Sequence, residues 1–245
     1  MDRRWIALAG TVLIGLAALW FFFLRSDNPD PVSLEDAVAS VTGSTVSEEP
    51  AATLPAATDT TAAVEETVAL DGTWTVLSDE NSFAGYRVGE ELASIGVTEA
   101  VGRTSGVTGS LELEGSTLTA VSIEVDMTSL RSDDNRRDGA MTRQALETNA
   151  FPTAQFVLTA AIDLGTIPAE GVPISVTASG DLTLHGVTAQ VDMPLEAQLV
   201  GNQIVVVGSV DIVYGDFGIE LPSAPILVGV DDHGLIELQL TFVRG

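Results

Sequence analysis

The 245-residue sequence contains no cysteine, no lysine and only two histidines. Without cysteine the chain has no disulfide, no thiolate metal site and no cysteine nucleophile. Without lysine it lacks the cation of a phosphate-binding loop, and neither a G-x-S-x-G nor an H-E-x-x-H motif occurs. We therefore predict a protein that is not an enzyme, with no catalytic residues, no metal site and no cofactor.

Positive charge is also scarce. All ten basic residues are arginines, and 35 acidic residues give a formal net charge of −25. Residues 71–245 carry seven of the arginines and 25 of the acids. A domain this acidic repels phosphate backbones. We therefore predict no nucleic-acid binding, and no pattern in the sequence specifies an oligomeric state.

One long hydrophobic run is present, close to the N-terminus. Trp5–Leu24 has no charged residue, and twenty residues of helix span about 30 Å, the thickness of a hydrocarbon core. Arg3 and Arg4 precede the run, which places residues 1–4 in the cytoplasm and the remainder on the periplasmic or extracellular face of the cytoplasmic membrane. A cleaved signal peptide is the alternative, but the exit Leu24-Arg25-Ser26-Asp27 lacks small residues at the usual cleavage spacing. We predict an uncleaved single-pass transmembrane helix over residues 5–24.

Residues 25–70 are rich in Ala, Thr, Glu and Pro and contain no aromatic residue. Such a segment buries too little apolar surface to offset its ordering entropy, so we predict a disordered linker. A flexible coil of this length has an end-to-end distance of about 35–40 Å.

From residue 71 onward, apolar and polar residues alternate strictly. In Val121–Met127, for example, every second side chain is apolar. Successive side chains of a strand point to opposite faces, so this pattern predicts strands with one apolar and one polar face. The predicted strands are Gly72–Ser78, Phe83–Val88, Val97–Glu114 (with a break at Gly102 or Gly106), Thr117–Met127, Ala154–Leu164, Ile174–His185, Ala189–Val200, Gln203–Val213 and Gly234–Val243.

The alternation stops between Ser129 and Pro152. Asp138–Asn149 has the pattern of one short helix with Met141, Ala145 and Leu146 facing inward, and Pro152 ends it. The sequence therefore predicts an all-β, antiparallel domain of about eight strands, either a barrel or a sandwich, with one short helical excursion.

Three segments of this domain share an uncommon pattern. The first has Arg136-Arg137-Asp138 followed by Phe151–Phe156 (FPTAQF), the second is Gly180–Thr188 (GDLTLHGVT) continuing to Met193-Pro194-Leu195, and the third is Val210–Gly218 (VDIVYGDFG). Together they resemble the YceI-like family, bacterial exported proteins with a lipocalin-like barrel that bind polyisoprenoids and related amphiphilic lipids. The resemblance covers residues 71–245 and does not extend to the anchor or the linker.

The sequence departs from the family pattern at two places. Tyr214 stands ahead of Asp216, where the family often has arginine. Gly139-Ala140-Met141 follows Arg-Asp in place of the usual leucine or histidine.

The resemblance implies an antiparallel eight-stranded lipocalin-like barrel whose apolar face lines a lumen. An eight-stranded barrel is either filled by its own side chains or holds one small ligand, and periodicity alone leaves both possibilities open. The domain has only eight aromatic residues, and its inward positions are mostly small aliphatic ones. The predicted lipid-binding lumen residues are Val121, Ile123, Val125, Phe156, Leu158, Leu182, Leu184, Ile204, Val206, Leu238, Leu240 and Phe242.

Arg137, Asp138 and His185 are the candidates for the mouth of the lumen, where a lipid headgroup would lie. Each also has a structural interpretation. Asp138 with Arg137 is able to cap the helical excursion, and His185 is able to stabilise the turn that ends its strand.

The leading hypothesis is a membrane-tethered, extracytoplasmic binding protein that holds an isoprenoid quinone, a polyprenyl lipid or a similar amphiphile in its lumen. The alternative is an envelope stress or interaction module that binds no ligand and has a self-filled β core. An enzyme acting on an isoprenoid headgroup is a third possibility, which the missing catalytic motifs disfavour.

Overall fold

The computed structural model describes residues 28–43, 70–94 and 96–245. The predicted transmembrane helix at residues 5–24 and the linker at residues 44–69 lie outside these ranges. Among the helices in the described ranges, none is long and apolar enough to cross a bilayer.

The described residues form one antiparallel sheet, in which eight strands close into a barrel. The closed order is β1-β4-β5-β7-β9-β10-β11-β13, and β13 pairs back onto β1 through Phe242 opposite Val76. This result confirms the predicted all-β, closed antiparallel barrel. The strands are β1 (Gly72–Val76), β2 (Phe83–Leu92), β3 (Gly96–Thr104), β4 (Val107–Glu114), β5 (Thr117–Asp126), β6 (Arg131–Ser132), β7 (Thr153–Leu158), β8 (Ile162–Asp163), β9 (Ile174–Leu184), β10 (Val187–Val200), β11 (Gln203–Val213), β12 (Leu227–Val230) and β13 (His233–Arg244).

Two strands extend the wall of the barrel at one end. The first half of β13 pairs with β2, and β2 pairs with β3, which carries the short β6 at its outer edge. The predicted strand Val97–Glu114 is divided into β3 and β4 at Ser105-Gly106, so the break falls at the second of the two predicted glycines. The predicted strand Ala154–Leu164 is likewise divided, into β7 and β8.

The two ends of the barrel differ. At the closed end, the turns at Gly115 and Gly201 lie over a core that includes Trp74, Leu111 and Phe242, all buried. At the open end, β2 and β3 continue past the closed ring to Leu92 and Gly96. The helical segment after β6 lies at this open end because it connects β6 to β7 there.

The helical excursion differs from the prediction of one helix over Asp138–Asn149. The structure has a short helix α2 (Asn135–Ala140), followed by one π-helical turn at Met141–Ala145. Asp134 caps α2 by accepting a hydrogen bond from the backbone N–H of Arg136, so the predicted capping role of Asp138 is wrong. Ala145 and Leu146 are buried, as expected.

Residues 28–43 depart from the predicted disordered linker. Helix α1 (Leu34–Thr42) begins after Ser33, whose hydroxyl accepts a hydrogen bond from the N–H of Asp36, and ends at Gly43 in a left-handed conformation. Leu34 and Ala37 are buried against the outward-facing Val205 and Val207 of β11. The apolar face of α1 therefore packs against the outer surface of the barrel.

Candidate functional site

A cavity of about 490 Å³ occupies the open half of the barrel. Its volume lies in the range typical of small-ligand sites, about 300–1,000 Å³. The wall is almost entirely apolar because the inward-facing residues of alternating strands are aliphatic. Side chains from every part of the open end line it, including Val88, Val125, Met141, Leu146, Leu184, Ile212, Ile236 and Leu238.

A smaller cavity of about 110 Å³ lies deeper, toward the closed end. Leu113, Leu199 and Phe242 line it, together with Leu70 from the segment that precedes β1. The five side chains that line both cavities are Ile123, Phe156, Met193, Leu238 and Leu240. These five side chains form a partition across the lumen.

The structure brings eleven of the twelve predicted lumen residues to one cavity or the other. Val125, Leu182 and Leu184 line the large cavity alone, and Val121, Ile204, Val206 and Phe242 line the small one alone. The remaining four, Ile123, Phe156, Leu238 and Leu240, belong to the partition. Leu158 lies outside both linings, near the end of β7.

The Phe156 ring reaches its position because of a glycine on the next strand. Phe156 in β7 lies opposite Leu182 in β9, and its ring lies over Gly180. A Cβ atom at Gly180 would clash with that ring and with the Val157 carbonyl oxygen. The Gly180 of the sequence motif therefore makes room for the aromatic part of the partition.

The charged groups that line the large cavity lie at its mouth. Arg137 donates a hydrogen bond of 2.6 Å to Glu90 and also pairs with Asp133. Glu90 is 9% exposed and Arg137 is 18% exposed, so this pair is mostly shielded from solvent. Burial alone would lower the pKa of Arg137, but its hydrogen bonds to the two carboxylates outweigh that and raise the pKa. The guanidinium therefore stays charged beside the lumen.

Two tyrosines also face the cavity. Burial raises the pKa of Tyr86 and of Tyr214 above the usual phenol range, so both hydroxyls stay protonated at physiological pH. Sequence reasoning did not select either residue as a site candidate. The signal for Tyr86 was its place in the alternation of β2, between inward-facing Ala84 and Val88.

Exposed Arg136 lies beside the same mouth. It binds Asp134 through both its backbone and its guanidinium, and these hydrogen bonds lower the pKa of Asp134 to about 2. Asp134 is therefore ionised across the physiological range, and the Arg136–Asp134 pair adds no net charge at the mouth.

Sequence reasoning also missed the segment that covers the mouth from the other side. Residues 219–226 contribute Ile219, Leu221, Pro222 and Ile226 to the cavity wall. No alternation marks this segment because it is an irregular loop, and its two prolines were the available signal.

The sequence matches the YceI-like domain over residues 74–242. The chain belongs to the YceI-like family. Among solved structures it is similar to a polyisoprenoid binding domain from Saccharophagus degradans implicated in plant cell wall breakdown, with 20% identity and a TM-score of 0.56 over 70% of this chain and 98% of that one. It is also similar to BcnA of Burkholderia cenocepacia, with 18% identity and a TM-score of 0.50 over 65% of this chain and 95% of that one. At these identities the likeness concerns the fold, and no curated protein matches the sequence.

The YceI-like motif around His185 forms a structural junction in this chain. His185 and Gly186 both have positive φ and make the two-residue turn between β9 and β10. The His185 ring contacts the Glu147 carboxylate through Nε2 at 3.0 Å and the Phe217 carbonyl oxygen through Nδ1 at 3.3 Å. Its centroid lies 4.3 Å from that of Phe151. His185 thus joins the helical excursion to the turn and to the Asp-Phe-Gly segment, and it does not line either cavity.

Asp138 also lies away from the cavity wall. Its Oδ1 accepts hydrogen bonds from the backbone N–H and the hydroxyl of Ser132, at 2.8 and 2.7 Å. Of the three residues predicted for the mouth, only Arg137 lines the lumen.

No metal centre accompanies these groups. In residues 28–43, 70–94 and 96–245, no group of three or more His, Asp or Glu side chains is arranged to hold a metal ion.

Proposed function

We propose that this protein binds an isoprenoid lipid in its lumen, as a non-enzymatic, membrane-tethered carrier on the outer side of the cytoplasmic membrane. The observation that carries the proposal is the large apolar cavity, which opens at an end of the barrel where the polar groups are concentrated. A self-filled interaction module does not account for a cavity of this size.

The chemistry of a polyprenyl chain fits this wall because binding needs no hydrogen bonds along its length. Each isoprene unit moved from water into the cavity contributes at most about 3–4 kcal/mol, at about 0.8 kcal/mol per carbon. Ordering and association costs hold the total affinity well below that sum. Specificity then depends on the length of the lumen and on the groups at its mouth.

The groups at the mouth suit a polar headgroup that carries hydrogen-bond acceptors. The Arg137 guanidinium and the protonated hydroxyls of Tyr86 and Tyr214 are all donors. A quinone carbonyl or a polyprenyl hydroxyl or phosphate offers the matching acceptor. The solved Saccharophagus degradans domain, described as polyisoprenoid binding, supports this ligand class.

Blocking the large cavity tests the proposal. We expect Leu182→Trp to fill part of it, so that the purified full chain retains less quinone or polyprenol after extraction and mass spectrometry while staying folded. The control is Val157→Trp on the same sheet, because Val157 is exposed on the outer face. The proposal is wrong if the unaltered chain takes up neither lipid, or if Leu182→Trp retains as much as the control.

A further inference from the structure

An exposed apolar rim surrounds part of the mouth. Val97 at the start of β3 is 85% exposed and Val228 in β12 is 61% exposed, although both are aliphatic. Leu221 and Ile226, in the loop that covers the cavity, are also exposed. β12 pairs with the end of β2, and Val97 lies opposite Glu91 of β2, so these residues gather at the open end. We call Val97, Leu221, Ile226 and Val228 the apolar rim.

Half of the rim is continuous with the cavity wall. Leu221 and Ile226 line the large cavity and are also exposed to solvent. Contiguous exposed apolar surface at the entrance of an apolar site typically marks an interaction with a membrane or a protein. An isoprenoid that enters the lumen on this side of the mouth passes over the rim.

The described chain begins at the same end of the barrel. The Asn28 side-chain amide donates a hydrogen bond of 2.6 Å to the carbonyl oxygen of Glu99, and Glu99 lies opposite Gly89 near the end of β2. From there the chain runs along the outside of the barrel, and α1 packs against Val205 and Val207 of β11. We call residues 28–43 the strap.

A buried ionic cluster holds the start of the strap. Arg87 donates a hydrogen bond of 2.8 Å to the Pro29 carbonyl oxygen, and Arg103 donates one of 2.8 Å to that of Asp30. Both guanidiniums also contact Glu237, which is 1% exposed although it lies on the outer face of β13. The strap is therefore attached at the mouth end by charged groups and further along by α1.

This attachment limits how far the mouth lies from the predicted membrane helix. The helix is predicted to end at Leu24, and the first described residue is Asn28. Four residue steps reach at most about 14 Å when fully extended. If residues 25–70 were a free linker, the barrel would instead tumble at about 35–40 Å from the end of the predicted helix.

We propose that the strap turns the open end of the barrel toward the membrane and that the apolar rim lies against the bilayer surface. The lumen then opens directly onto the phase that dissolves its ligand. Acidic residues such as Glu91 flank the rim. Anionic lipid headgroups would repel them, so we expect the contact with zwitterionic lipid. This inference rests on the membrane tether of the proposed function.

The absence of native cysteine allows a direct test by single-site labelling. The full chain is reconstituted in nanodiscs of phosphatidylcholine whose acyl chains carry bromine, a short-range quencher. Val228→Cys carries a fluorophore on the rim, and Asn202→Cys carries it in the exposed β10–β11 turn at the closed end. We expect brominated lipid to quench the probe at position 228 and to leave the probe at position 202 unchanged.

The outcomes distinguish the proposed orientation of the barrel from the proposed membrane tether on which it rests. A chain that does not co-purify with nanodiscs contradicts the membrane tether itself. A chain that does co-purify but shows equal quenching at both positions contradicts the orientation alone. Ala37→Glu places a charge under α1 and Arg103→Gln removes the hydrogen bond to Asp30, so the double variant weakens both attachments of the strap and should lower the quenching at position 228, whereas Ser40→Glu on the exposed side of α1 should not.

Discussion

Phe156 decides how much of the barrel interior forms one continuous lumen. Its ring lies between the two cavities and packs over Gly180, where a side chain would displace it. The smaller cavity alone is comparable in size to an engineered apolar cavity of about 150 Å³ that binds benzene. It therefore adds little room unless the partition opens.

Shortening Phe156 should lengthen the ligand that the protein accepts. In Phe156→Ala the two cavities join, so we expect retention of longer polyprenols than the unaltered chain retains, in a series of defined lengths analysed by mass spectrometry. Phe156→Leu gives the same trend with less loss of packing. Leu182→Ala is the control, because Leu182 lines only the large cavity. An unchanged length preference in both Phe156 variants would rule out the partition.

Glu237 should contribute more to stability than Glu99, the other carboxylate that pairs with Arg87. Glu237 is buried between Arg87 and Arg103, and its removal leaves Arg87 paired with one carboxylate, that of the exposed Glu99. We expect Glu237→Ala to lower the free energy of unfolding by about 3–5 kcal/mol. Glu99→Ala, at a position 54% exposed, should cost at most about 1 kcal/mol. Urea unfolding of the two variants measures the difference, and equal costs would contradict this ranking.

Variants at His185 and Arg137 should distinguish a structural role from a role in ligand binding. Because His185 joins three segments and lies outside the cavities, His185→Ala should lower the free energy of unfolding by about 1–3 kcal/mol and leave the choice of lipid headgroup unchanged. Arg137→Gln should instead change the relative uptake of polyprenyl phosphate and polyprenol. The assignment is wrong if His185→Ala alters headgroup choice in chains that remain folded.

At the scale of elements, the sequence predicts where the strands lie but not which other elements pack against them. Alternation located β5, β9, β10, β11 and β13 almost to the residue, since the period of a strand is intrinsic to its backbone. The composition of residues 25–70, rich in Ala, Thr, Glu and Pro and without an aromatic residue, predicts a disordered linker that includes residues 28–43. The decisive fact, that Leu34 and Ala37 meet Val205 and Val207, depends on tertiary contact. The consecutive valines 205–207 were the signal, because they make both faces of β11 apolar.

At the candidate site, too, periodicity predicts some residues, while tertiary contacts determine the role of others. Inward-facing lumen residues followed from periodicity, and eleven of the twelve line a cavity. The mouth depended on motifs, and a motif does not reveal whether its residues contact a ligand or one another. Asp138 binds Ser132 and His185 binds Glu147, which no local pattern specifies.

The Ala37→Glu substitution should detach helix α1 from the barrel without unfolding the barrel. Ala37 is fully buried, so Ala37→Glu places a charge against Val205 and Val207. We expect faster hydrogen exchange across residues 34–42 and unchanged protection in β9 and β10, measured by mass spectrometry. Ser40→Glu, on the exposed side of the helix, serves as the control. Loss of protection throughout the barrel would show that the strap is required for the fold.

At the scale of the whole molecule, the barrel has a small cavity toward its closed end and a large cavity in its open half. The closed end is packed around Trp74 and Phe242, which stabilises the fold independently of any ligand. The open end has its own buried apolar cluster, which includes Leu184 and Ile212 and forms part of the wall of the large cavity, and its charged groups lie at the mouth. Under the proposed function, a lipid enters and leaves through the mouth without the barrel opening.

Native mass spectrometry of the full chain, incubated with quinone or polyprenol and released from detergent, tests the central claim most directly. The account predicts a complex in which each chain carries the mass of one isoprenoid, and it predicts that Leu182→Trp loses that complex while Val157→Trp keeps it. A chain that remains free of added lipid under conditions in which both variants are folded would contradict the account.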